Sequence, residues 1–159
     1  MASENIKNVF ISHVHEDDPV LQDLKDLLSP HGYDIRDSSI DSSKPNEAQN
    51  PDYIKSQILA PRIQWAGAVI VLISPDTHTS EWVDWEIEHA AKEDKRIVGV
   101  FVRGAQDSDV PKNLDLYADA VVGWSGPSVI DALEERINDW VTSDGKVRAP
   151  RPIRRYQCS

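Results

Sequence analysis

Two residues four apart, Trp82 and Glu86, stand in the stretch best equipped for chemistry, Thr79-Ser80-Glu81-Trp82-Val83-Asp84-Trp85-Glu86-Ile87-Glu88-His89-Ala90-Ala91. Val83, Ile87, Ala90 and Ala91 fall at i, i+4, i+7 and i+8, the apolar stripe of an amphipathic helix. Thr79 or Ser80 can cap its start, a side-chain oxygen meeting free backbone N–H groups. Trp82 and Glu86 then share a face one turn apart. That face is expected to be rotated away from the core stripe, which leaves Glu86 at the surface and its replacement neutral for folding. A fixed carboxylate can stabilise developing positive charge. A second group of candidates, His13 and His15, lies beside the acids Glu16, Asp17 and Asp18. Two histidines two apart in an extended segment share a side, yet a surface pair is commoner than a ligand pair, and no metal site is expected.

The elements that must hold these residues alternate along the chain. Asn8 to Ser12 is a short apolar strand. Asp18-Pro19 supplies a cap and a first helical position, and Val20, Leu21, Leu24, Leu27 and Leu28 give a helical stripe ended by Gly32. Tyr33 to Arg36 can form a second strand. Residues 37–50 are rich in Ser, Asp and Asn, a polar loop long enough to suggest function. Asn50-Pro51 restarts a helix carrying Tyr53, Ile54 and Ile58, which Pro61 should kink or break.

Ala68 to Ile73 reads as a buried third strand feeding the Trp82 helix. Arg96 to Val102 is a fourth strand, apolar without alternation, as expected when both faces are covered. Residues 103–116 read as irregular. Ala120 to Trp124 is a fifth strand, and Ser128 to Val141, with Ile130, Leu133, Ile137 and Trp140, a closing helix. The alternation implies an α/β fold, a doubly wound five-stranded parallel sheet with helices on both faces. In such sheets, ligands sit outside the carboxyl ends of central strands, which is where Glu86 is expected.

Composition bounds the function. The chain has 159 residues, 40% of them apolar, with five Trp, enough for one domain with a real core. No apolar run approaches a membrane span, and the first residues lack a signal-peptide pattern. Cys158 is the only cysteine, which excludes an internal disulfide and a Cys metal cluster; the cytoplasm is the expected compartment. A net charge of −10 disfavours nucleic acid as a partner, though not one small anionic ligand in an N–H-lined pocket. The basic residues Lys146, Arg148, Arg151, Arg154 and Arg155, with Pro150 and Pro152, mark residues 146–159 as a tail without periodicity. The domain is expected to end at residue 145.

Asn8-Val9-Phe10-Ile11-Ser12-His13, the polar loop after strand two, Val69-Ile70-Val71-Leu72-Ile73-Ser74, and Trp82-x-x-x-Glu86 together resemble the Toll/interleukin-1 receptor (TIR) domain. The likeness covers about residues 6 to 140 and is strongest to short stand-alone prokaryotic TIR-like proteins, including the TIR subunit of Thoeris antiphage defence. It implies a flavodoxin-like fold and, in the family's enzymatic branch, cleavage of the nicotinamide–ribose bond of NAD+. The catalytic glutamate falls on Glu86. Substrate contacts are implied at Ser12, His13, His15, Asp37, Ser38, Ser74 and Trp82. Many animal members carry an aromatic and basic pair where this chain has His13-Val14-His15. NAD+ would be the substrate, with no cofactor. Self-association through TIR–TIR contacts and a downstream effector reached through a nucleotide messenger complete the implied partners, with no nucleic acid and no membrane.

Nicotinamide leaves NAD+ as an already cationic group, so its departure needs no general acid and builds an oxocarbenium-like centre on the ribose. One carboxylate can stabilise that charge, and Trp82 could wall off water or face the nicotinamide. Two other classes compete. A phosphoacceptor receiver has acids after strand one, but it also needs an acid closing strand three and a lysine ending strand five, where this chain has Ser74-Pro75 and Trp124-Ser125. A non-catalytic TIR scaffold, acting only by assembly, is distinguished by whether the Trp82/Glu86 pair turns NAD+ over.

Overall fold

A computed structural model describes residues 8–13, 18–37, 59–74, 81–102, 105–136, 140–141 and 147–148. The first strand, β1 (Asn8–Ser12), is followed by helix α1 (Asp18–Leu28) and a 3-10 turn, Ser29–His31. Gly32 ends that turn at φ 85°, its N–H donating to the Ser29 carbonyl. A β-carbon is disfavoured in this left-handed conformation. Strand β2 (Asp34–Asp37), helix α2 (Ala60–Trp65), strand β3 (Ala68–Ile73), helix α3 (Glu81–Lys92) and strand β4 (Arg96–Phe101) come next. The chain closes with helix α4 (Lys112–Tyr117), strand β5 (Ala120–Val122), helix α5 (Gly126–Leu133) and strands β6 (Trp140–Val141) and β7 (Val147–Arg148).

The strands lie in the order β2-β1-β3-β4-β5-β6-β7. Strands β1 to β6 run parallel, and β7 joins β6 antiparallel. The class is the α/β one expected, with seven strands among the described residues in place of five. Chain order reverses between β1 and β3, so their carboxyl ends border the crevice where open sheets of this kind bind ligands.

Alternation along the strands sorts the core into two layers. Phe10, Val69, Val71, Ile73, Ile97 and Val121 pack with Ile63 of α2, Val83 and Ile87 of α3, and Leu114 of α4. Val9, Ile11, Ile70, Leu72, Val98 and Val100 pack on the other face with Leu21, Leu24 and Leu28 of α1 and Val129 and Leu133 of α5. Every residue of β3 is buried, as its unbroken apolar run requires. Gly99 lets α4 approach: a β-carbon there would lie 2.9 Å from Leu114 Cδ2 and 3.1 Å from Ile73 Cδ1.

Three expectations need correction. The helix read over Ser128 to Val141 stops at Leu133. Glu135 takes a positive φ of 67°, and Trp140, periodic with Ile130 and Leu133 by sequence, is a strand residue whose indole N–H donates to the Ala118 carbonyl. Within 103–116, read as irregular, lie a 3-10 turn, Asp107–Asp109, and α4. Within the basic tail, Val147 and Arg148 pair with Val141 and Trp140. Pro61 is the second residue of α2 as described, and Leu59 before that helix already has helical backbone angles. The earlier part of that expected helix, with Tyr53, Ile54 and Ile58, lies outside the described residues. No described helix is long and apolar enough to cross a membrane.

Candidate active site

Ser12 is the last residue of β1 and pairs with Val71 of β3, while Ile11 before it pairs with Asp37 of β2. Glu86 lies in the second turn of α3, the helix that follows β3. The Ser12 hydroxyl donates to Glu86 Oε1 at 2.5 Å. Both residues are 0% exposed, and Glu86 Oε2 is equally shielded from solvent. A distance this short falls in the range of hydrogen bonds to a charged oxygen. Two elements 74 positions apart in sequence are thereby tied at the carboxyl end of the sheet.

The burial of Glu86 corrects the expectation that it faces solvent. Glu86 follows Val83 by three positions and precedes Ala90 by four, and both of those are fully buried. These are same-face spacings on a helix, so Glu86 borders the core stripe instead of opposing it. Its replacement is therefore not a surface change. Trp82, one turn earlier, is the exposed large hydrophobic residue of the described chain at 39%.

His13 directly follows Ser12, and Ser74 directly follows β3; both are buried. The structure thus gathers Ser12, His13, Ser74 and Glu86 at the ends of adjacent strands and the helix above them. Asp37 closes β2 at the same end of the sheet. His15 and Ser38 lie outside the described residues, as do Thr79 and Ser80.

The rest of α3 is structural. Trp85 stacks on His89 with ring centroids 5.0 Å apart, and burial pushes the His89 pKa down. Glu88 pairs with Lys92 at 3.9 Å on the exposed side. Asp84 faces α4: its backbone carbonyl accepts from the Asn113 side-chain amide at 3.1 Å, and burial raises its carboxyl pKa. Sequence reasoning passed over Asp84, although it stands one position after the buried Val83. Among the described residues no group of three His, Cys, Asp or Glu side chains could hold a metal ion.

A doubly wound, mostly parallel sheet of this kind is also the fold of a solved TIR domain. The crystal structure of the TIR domain of the Toll-related receptor TRR-2 from Hydra magnipapillata superposes with a TM-score of 0.53 at 18% identity, covering 80% of this chain and 92% of that one. Residues 10–107 match the family model for the TIR-like domain of the Thoeris protein ThsB, and the chain belongs to that family. No curated protein matches the chain.

Proposed function

We propose that the chain is an NAD+ glycohydrolase or cyclase of antiphage signalling, with Glu86 as its catalytic carboxylate. The observation that carries this reading is the buried Glu86 carboxylate, hydrogen-bonded to Ser12 beside the crevice between β1 and β3. In the reaction, the bond between ribose C1′ and the nicotinamide nitrogen breaks, and its electron pair leaves with neutral nicotinamide. The ribose gains positive charge, which a fixed carboxylate in a water-poor site opposes at short range. Water as the incoming nucleophile gives ADP-ribose after loss of a proton. A hydroxyl or base nitrogen of the same molecule gives a cyclic isomer, and a foreign amine or imidazole gives a conjugate. His13, His15, Asp37, Ser38, Ser74 and Trp82 are the residues proposed to border the substrate. The product would be the messenger to a downstream effector.

A carboxylate at 0% exposure reaches no substrate until the groups packed over it move. Activity is therefore proposed to be low in isolated copies and to rise on self-association, which favours the open arrangement. The same burial supports the second reading, a TIR scaffold that assembles without chemistry. The two separate on incubation with NAD+ over a range of protein concentrations and crowding, with nicotinamide and nucleotide products followed by mass spectrometry. Specific activity that climbs with concentration supports the proposal. A flat, full activity in a monodisperse monomer removes the assembly requirement. Folded protein that never releases nicotinamide leaves the scaffold.

A further inference from the structure

We propose that Ser12 is the positioning residue for Glu86, fixing its carboxylate from the rigid end of a central strand without itself meeting the substrate. This assignment rests on the reading of Glu86 as the catalytic group and replaces the expectation that Ser12 is a substrate contact. Three observations carry it. Ser12 Oγ lies 2.5 Å from Glu86 Oε1, to which it donates. Ser12 is as fully buried as Glu86, and its one hydroxyl proton is already committed to the carboxylate. And β1 is paired on both sides, to β2 and β3, so the donor is carried by a strand inside the sheet and not at its edge.

A glutamate side chain has three rotatable bonds, and α3 fixes only its root. Precision at the carboxylate needs a second anchor near the tip. Ser12 supplies it, and does so as a neutral donor. A lysine or arginine in its place would hold the carboxylate too, but would cancel the negative charge that an oxocarbenium-like centre requires. Serine orients the charge and preserves it. The same bond favours the ionised form, because a donor to a carboxylate stabilises the anion.

Three variants test the assignment. Ser12→Ala removes the donor, Ser12→Thr keeps a hydroxyl, and Ser12→Cys keeps the volume with a weak donor. The Cys variant carries the test if the Ala variant fails to fold. With Ser12→Ala, kcat is expected to fall about ten- to a hundredfold, the loss of one hydrogen bond to a charged group. KM should change less than threefold, and the acid limb of the kcat profile should move to higher pH. Ser12→Thr should recover both. His13→Gln, at the next residue in the chain, is the control that separates the effect of the adjacent imidazole from that of Glu86.

A rise in KM with an unmoved acid limb would make Ser12 a substrate contact and overturn the proposal. A lower Tm with unchanged kcat and limb would make the bond structural only. The ionisation of Glu86 gives a readout that needs no turnover: its carboxyl carbon, labelled with 13C and assigned through its loss in Glu86→Gln, should titrate at higher pH in Ser12→Ala. If the wild type never cleaves NAD+, the reading of Glu86 fails, yet this titration still decides whether Ser12 holds the carboxylate. An unshifted titration in a folded Ser12→Ala protein refutes the link.

Discussion

Glu86→Gln separates chemistry from folding more sharply than any other change in this chain. The amide keeps the shape of the side chain and removes its charge, and its oxygen can still accept from Ser12 Oγ. Loss of a preorganised electrostatic contact costs about a hundredfold or more in turnover. Stability should move the other way. The wild type holds a carboxylate at 0% exposure beside a neutral hydroxyl, and burying an ion costs several kcal/mol even after the protein relaxes. The amide escapes that cost but brings an NH2 whose donors must be satisfied, a penalty of about 1–3 kcal/mol. The balance favours a Tm equal to the wild type or up to about 4 °C higher, since 1 kcal/mol is worth about 2–4 °C in a domain of this size. Nicotinamide release followed by chromatography gives the first quantity, and a thermal melt by circular dichroism gives the second. Glu88→Gln is the control: it breaks an exposed pair with Lys92, worth a few tenths of a kcal/mol. Turnover within threefold of wild type in folded Glu86→Gln would refute the catalytic reasoning. A Tm lower by more than about 5 °C would refute the account of its burial.

Three further outcomes are expected. Gly99→Ala should lower Tm by about 3–10 °C, because its methyl meets Leu114 and Ile73 side chains inside a packed layer and overpacking costs about 1–3 kcal/mol. Tyr33 is held by burial, and by its hydrogen bond to Glu134, at a pKa of about 12. That value lies above the ordinary one, so the contribution is full below about pH 10 and fades as pH rises toward 12; Tyr33→Phe should cost about 1 kcal/mol at pH 7, with the gap to wild type closing in alkaline melts. Truncation after residue 145 removes β7 and its pairing with Trp140 and Val141, so it should melt about 2–4 °C below truncation after residue 149, about 1 kcal/mol.

The fold was legible wherever an element was long enough to show a period. The unbroken apolar runs of β3 and β4 and the stripes of α1 and α3 placed the sheet, its parallel sense and the catalytic candidate. Elements of two or three residues left no such trace, so β6, β7 and the 3-10 turn at 107–109 were missed. The false extension of α5 has a specific cause. Ile137 and Trp140 continue the helical spacing of Ile130 and Leu133, and neither glycine nor proline marks the stop. The stop comes instead from Glu135, a non-glycine residue at positive φ, and Arg136, whose guanidinium bonds Asp131 and Glu134. At the site, Glu86 could be singled out as a candidate by its spacing to Trp82, but its depth could not be read from that pair. The spacings to Val83 and Ala90 held that information. The bond to Ser12 joins residues 74 positions apart, and no local pattern encodes such a partner.

The borders of the sheet shape how this protein behaves when concentrated. Among the described residues, one border is β7, two residues long and antiparallel. The other is β2, four residues long, with Asp34 and Arg36 exposed and the Arg36 guanidinium folded 4.3 Å over the Trp65 ring. Short edges bearing charge are poor templates for a further strand, and a net charge of −10 adds long-range repulsion between copies. Crowded copies should therefore resist fusing their sheets into fibrils. They remain free to meet through side-chain surfaces, by contacts that come apart again on dilution.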